Sequence, residues 1–163
     1  PDIADRTAFA FDEEGDFAFT SGYGITLKPE VKYSPKYLLA LLNSRLLDAV
    51  WKQVSTPLRG GFYRYFTQFI EQLPVYPLNL GVPSERAQHD ALAALVTRIL
   101  SAKKADPEAD TSALEREIDE LVYELYGLTK EEIALVEGAS VVAPKAMADT
   151  SHEASQGKGG SKA

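Results

Sequence analysis

Large and small apolar residues alternate near the start of the chain. Phe9 and Phe11 alternate with Ala8 and Ala10, Phe17 and Phe19 resume the pattern after Asp12-Glu13-Glu14-Gly15-Asp16, and Tyr23, Ile25 and Leu27 continue it beyond Ser21-Gly22. Period two puts each set of large side chains on one face, so this stretch predicts a β-meander that ends at Pro29. The period then changes. Ser34-Pro35 combines a hydroxyl N-cap with proline at the first helical position. From residue 37 to 54 the chain is apolar around much of a helix, with Leu38, Leu39, Leu41, Leu42, Leu46, Leu47, Val50 and Trp51. This predicts one core helix for the strands to pack over.

Thr56-Pro57 stops that helix, and Leu58-Arg59-Gly60-Gly61 reads as a loop. Residues 62–72 fit two periods. Tyr63 and Tyr65 alternate as in a strand, while Phe62, Phe66, Phe69, Ile70 and Leu73 also recur at helical spacing. The favoured reading is a short strand after the glycines, one helical turn, and a strand over 73–76. Beyond it, Ser84 can cap a helix to about residue 104, with Leu92, Leu95, Val96, Ile99 and Leu100 on one stripe. Ser112 and Glu115 form a capping box for a second helix, whose Leu114, Ile118, Leu121, Leu125 and Leu128 make a coiled-coil seam. The two predict an antiparallel hairpin over 84–128. Gly127 ends it, and Thr129 with Glu132 starts a short helix to about residue 137.

The expected fold class is therefore α+β: a small β-meander or sheet packed on a core helix, followed by an antiparallel helical hairpin. Three parts follow: 1–80, 81–138 with the hairpin and short helix, and a tail over 139–163 whose Ala, Ser, Gly and Lys predict disorder. No run reaches the roughly 18 apolar residues of a membrane helix. Cysteine is absent, which excludes disulfides, thiolate metal sites and a cysteine nucleophile, and fits a cytoplasmic protein. The opening Pro1-Asp2-Ile3 reads like the interior of a longer protein.

Charge changes the picture. The net charge of -7 argues against nucleic acid as a partner. Yet residues 81–138 carry thirteen acids and six bases, whereas 32–64 carry Lys32, Lys36, Arg45, Lys52, Arg59 and Arg64 against Asp48 alone. The acidity belongs to the hairpin, where Glu117, Asp119, Glu120 and Glu124 fall on outer positions. A local basic segment lies hidden within the first part.

Enzyme motifs are few. His89 and His152 have no second ligand at metal spacing, and neither a Gly-x-Gly-x-x-Gly nor a Walker lysine occurs. Asp2 with Glu30-Val31-Lys32 has the residue types of a Mg²⁺-dependent nuclease, but Pro29 would interrupt the strand needed to carry them. The alternative for those residues is a solvated turn. Residues 52–65 carry a better pattern for nucleic acid. Arginine can bind phosphate or the acceptor pair of guanine, glycine lets backbone approach a phosphate, and tyrosine can stack. The candidate contacts are Lys32, Lys36, Lys52, Arg59, Gly60, Gly61, Tyr63, Arg64 and Tyr65. Against this stands the reading in which both tyrosines are half-buried strand residues and the arginines reach solvent.

Lys36-Tyr37-Leu38-Leu39-Ala40-Leu41-Leu42-Asn43-Ser44, then Arg59-Gly60-Gly61-Phe62-Tyr63, then Glu71-Gln72-Leu73-Pro74-Val75 resemble the TaqI-like C-terminal specificity domain. This is the target recognition region of type II restriction-modification methyltransferases. The resemblance takes in Ala4-Asp5-Arg6 and Tyr23-Gly24-Ile25, and downstream the stretch 118–129, and so covers about residues 1–137. It implies a reader of double-stranded DNA joined to an N-terminal adenine-specific methyltransferase domain. In such relatives that domain binds S-adenosylmethionine and holds the flipped adenine with an Asn-Pro-Pro-Tyr-type motif. No such motif occurs here, so no catalytic residue, cofactor or metal is expected in this chain. Contact through Arg59 to Tyr65 would set register on phosphate more than read bases. Two other readings stand beside it: a subunit-interaction module using the hairpin over 84–128, and a residual nuclease.

Overall fold

The computed structural model describes residues 3–16, 18 and 22–139. The first helix begins as its sequence predicts. Ser34 Oγ accepts a hydrogen bond from Lys36 N at 3.2 Å, and Pro35 opens α1 (Pro35–Leu42). The predicted single helix over 37–54 is instead two. Asn43 closes α1, and Ser44 caps α2 (Arg45–Val54) by accepting from Leu47 N at 3.3 Å. The same Ser44 hydroxyl donates to Leu41 O at 2.7 Å, so one buried side chain serves both helix ends. Leu42 and Leu46 keep helical spacing across the polar run Asn43-Ser44-Arg45, and there a serine hydroxyl competing for backbone groups breaks the helix.

The break gives each half its own neighbour. α1 packs chiefly on α4 (Pro83–Ala105), while α2 meets α5 (Ser112–Tyr126), α6 (Lys130–Ala139) and the single turn α3 (Thr67–Ile70). α4 and α5 form the expected hairpin, and their apolar faces join those of α1 and α2 in one core. Tyr37, Leu41, Leu47, Trp51, Leu92 and Val122 are its most deeply buried members. The hairpin seam is thus covered within the chain, and the buried face of α5 widens to include Asp119, Val122 and Tyr123.

The β-meander does not form among the described residues. Only two-residue strands occur, β1 (Ile3–Ala4) and β2 (Tyr63–Arg64), paired antiparallel with Ile3 opposite Arg64 and Ala4 opposite Tyr63. The architecture is mostly helical with this small sheet, consistent with an α+β class. Phe17, Phe19 and Ser21 of the expected strands lie outside the described residues. The predicted turn is present, with Asp12 Oδ1 accepting from Gly15 N and Asp16 N. What replaces the sheet is side-chain bonding. Thr7 N donates to Asp48 Oδ1 at 2.7 Å, Ala8 N to Tyr65 Oη at 2.6 Å, and Asn43 bonds both N and O of Phe9. The segment over 5–11 is a strap tied down by these side-chain bonds, without a neighbouring strand.

Residues 73–76 differ from expectation for the same reason. They are coil rather than strand. Tyr76 O accepts from Tyr37 Oη, Tyr76 N donates to Tyr126 Oη, and that hydroxyl donates to Pro74 O. Caps shift slightly as well. Val82 and Pro83, not Ser84, open α4, and Thr111, one residue before Ser112, precedes α5 and bonds Glu115 through its hydroxyl. Gly127 in the left-handed region ends α5, and the Thr129–Glu132 box forms as predicted. Residues 140–163, assigned above to a disordered tail, lie outside the described residues.

Two buried polar links tie the helices together. Ser34 N donates to His89 Nε2 at 2.9 Å, which leaves Nδ1 to carry the proton towards Asp90. Asp119 of α5 accepts from Arg45 N at 2.8 Å and from its guanidinium at 3.3 Å, so it caps the start of α2 from another helix. Burial pushes the Asp119 carboxyl above its ordinary pKa and outweighs the Arg45 contacts, whose guanidinium is half exposed.

Ser44→Ala should destabilise the chain by about 1–2 kcal/mol, seen as a lower urea midpoint with an unchanged slope. For Asp119 the sign follows from its raised pKa. Its protonated form favours the folded chain, so its contribution is greatest in acid and declines as pH rises through the raised value. Unfolding free energy measured against pH should show wild type losing ground to Asp119→Asn as pH rises over that interval.

Candidate nucleic-acid interface

After α2 the chain turns back on itself in a short hairpin. Leu58 N donates to Phe62 O at 2.7 Å, and Pro57 bridges Tyr63. At the tip stand Arg59, Gly60 and Gly61, with φ of +88° and +81° at the two glycines. Two successive left-handed residues are what a tight hairpin turn demands and what glycine alone adopts without strain. The returning strand is fixed from behind, since Ser55 Oγ accepts from Arg64 N at 3.1 Å and donates to Arg64 O at 2.7 Å.

Alternation along β2 then divides the candidate residues. Tyr63 and Tyr65 point inwards and are 5% and 6% exposed. Their rings lie 5.5 and 4.4 Å from Trp51, and Tyr65 Oη also donates to Arg6 O at 2.9 Å. Burial pushes the Tyr65 hydroxyl up to about 12. These two are core residues, buried more deeply than the half-buried strand positions of the alternative reading, and neither ring is accessible to a base. Phe62 and Arg64 face the other way. The Arg64 guanidinium lies 5.1 Å from the Phe66 ring, and exposed Ile3 stands opposite Arg64.

The basic segment divides in the same manner. Lys36 pairs with Glu13 at 3.2 Å, Lys52 with Asp48 at 2.7 Å, and Arg45 with Asp119. Asp48 also holds the strap through Thr7, so Lys52 neutralises a buried structural acid instead of facing a ligand. Lys32, Arg59 and Arg64 pair with no described carboxylate; Lys32 and Arg59 are exposed. The hairpin brings Arg59, Gly60, Gly61 and Arg64 together. Lys32 and Lys36 sit on a different element, before and within α1.

Other candidates resolve plainly. Glu30 is exposed in a turn, with Val31 N bonded to Lys28 O at 3.0 Å, and Asp2 lies outside the described residues. Among the described residues no group of three His, Asp or Glu could hold a metal ion, and no helix is long and apolar enough to cross a membrane. Of the four acids placed on the outer face of α5, Asp119 is buried; Glu117, Glu120 and Glu124 are exposed. A cleft of about 890 Å³ runs between the strap and α1, α2, α4 and α5, but acids and bases alternate along its walls and favour neither sign of ligand. Sequence periodicity missed Asn43, Asp48 and Asp119, whose role lies in contacts 34 or more residues away.

Tyr65→Phe should cost about 1–2 kcal/mol of stability through its two lost hydrogen bonds. Arg59→Ala should stay within about 0.5 kcal/mol of wild type. Urea unfolding of the two variants checks the division between core and surface.

A family model of the TaqI-like C-terminal specificity domain matches residues 1–75. No curated protein and no solved structure matches the chain. The match takes in the strap, α1, α2, the Arg59 hairpin and α3, and with them the motifs over 36–44, 59–63 and 71–75. The 118–129 stretch, on α5 and the turn after it, lies beyond the match.

Proposed function

We propose that the chain recognises double-stranded DNA and presents it to an adenine-specific methyltransferase domain of a restriction-modification system, in the cytoplasm. The observation that carries this reading is the Arg59-Gly60-Gly61 tip, whose exposed Arg59 pairs with no described carboxylate, within the stretch matched by a specificity-domain family. Docking is electrostatic. Arg59 and Arg64 neutralise phosphates, and glycines at the tip let the backbone come close to the duplex. Hydrogen bonds from Ser55 to Arg64, with Tyr63 and Tyr65 packed on Trp51, hold the returning strand and so reduce the freedom lost on binding.

Chemistry belongs to the methyltransferase domain. Such a domain would supply S-adenosylmethionine as methyl donor to the flipped adenine. The reading assigns that cofactor to the methyltransferase domain and not to this chain. β2 leads into α3 through Tyr65 and Phe66, with no glycine-rich turn at a helix start. A subunit-interaction role for the hairpin is less supported, because α1 and α2 cover its apolar seam.

Fluorescence anisotropy with a duplex oligonucleotide over a salt series tests the reading. Affinity should fall steeply with salt, and Arg59→Ala should make the log–log slope shallower by about 1. Arg98→Ala, which alters an exposed pair with Glu117 on the helical hairpin, should leave the slope unchanged. A flat salt response, or equal slopes for Arg59→Ala and wild type, would refute phosphate-led docking.

A further inference from the structure

We infer that Phe62 reads the methyl group of a thymine in the major groove, an inference that rests on the DNA-binding role proposed above. The two-stranded ribbon has an inner and an outer face. Tyr63 and Tyr65 occupy the inner one, and the outer one carries Phe62, Arg64 and, on β1, Ile3. Phe62 and Ile3 are 42% and 41% exposed. Large apolar side chains left in water beside unpaired arginines mark a surface that is covered when the protein works.

Charge identifies what covers it. Arg59 at the tip and Arg64 on the strand stand before and after Phe62 along the hairpin, and neither pairs with a described carboxylate. A partner that meets cations on both sides of an apolar contact must be anionic at its edges and apolar between them. The major groove of a duplex has this form, with phosphates along its rims and thymine methyl groups on its floor, and it is wide enough for a two-stranded ribbon.

Geometry separates methyl contact from intercalation. A Cβ placed at Gly60 would stand 3.5 Å from Cδ2 and Cε2 of Phe62, so the ring lies against the turn of its own hairpin. A wedge has to project clear of the backbone to enter a base step. A ring resting on the tip presents an apolar surface instead, suited to a methyl group. Glycine at 60 is favoured by its φ of +88°, while a Cβ there would make only ordinary contact with the ring.

Selection from a pool of random-sequence duplexes, with the whole chain as bait, tests the inference. Wild type should enrich a motif containing at least one required T·A pair, and replacing that thymine by uracil should weaken binding about fourfold, the worth of one buried methyl group. Phe62→Ala should lose preference at that pair alone, show no further loss with uracil, and keep the wild-type salt slope. Phe62→Leu should retain part of the preference. If Phe62→Ala enriches the same motif as wild type, or wild type binds duplexes without preference, the Phe62 inference fails while salt-dependent docking stands. If wild type binds no duplex at low salt, the DNA reading itself fails. Cross-linking of Phe62 to a second copy of the chain, abolished by Phe62→Ala, would assign the face to self-association and overturn the inference.

Discussion

The hydroxyl of Ser44 stands where the fold divides. By capping α2 and bonding the carbonyl of Leu41, it turns one long apolar segment into two helices that meet different partners. A straight helix over 37–54 would offer its apolar circumference along one axis. The broken pair lets Tyr37, Ala40 and Leu41 pack on α4 while Leu47 and Trp51 pack towards α5 and the Arg59 hairpin. Asn43, set at the same corner, clamps Phe9 by both backbone groups and so directs the strap across the helices.

From that corner outwards, side chains of the helices and of the segment after β2 do what strands do elsewhere. Asp48, Asn43 and Tyr65 satisfy the strap, and Tyr37 and Tyr126 satisfy the coil over 74–76. An extended segment needs partners for its N–H and C=O groups, but nothing requires them to come from another strand. This is why period-two alternation gives no sheet among the described residues of 8–27. Alternation reports which side of an extended segment is apolar, not what bonds its backbone. The same fact explains Tyr23 and Ile25, which alternate correctly and remain exposed.

Local signals were legible wherever a motif closes within a few residues. Ser34-Pro35, the Gly127 stop, the Thr129–Glu132 box and the turn at Asp12 all form where the sequence places them. So does the strand-then-helical-turn order over 63–70. Long-range polar links were not legible. Asp119 sits on a helix whose neighbours Glu117 and Glu120 are solvated, and only the approach of Arg45, 74 residues away in sequence, gives it a role. For the candidate interface, the sequence grouped Tyr63 and Tyr65 with Arg59, although both rings are buried, because an alternating run does not reveal which of its faces is inward.

Charge illustrates the same limit and resolves it. A stretch of six bases and one acid looks like a continuous cationic surface when read along the chain. In three dimensions Glu13 and Asp119 reach in from other segments and Asp48 turns to Lys52 on its own helix, and together they pair with half of those bases. The paired cations build the fold, and the unpaired ones are gathered at the hairpin and before α1. A screened field falls away over about 8–10 Å at physiological salt, so a partner responds to the charges it touches rather than to the total. An overall charge of -7 is therefore compatible with a phosphate-binding edge. The condition is that the edge be carried by arginines held at a rigid turn and clear of the acids that stabilise the interior.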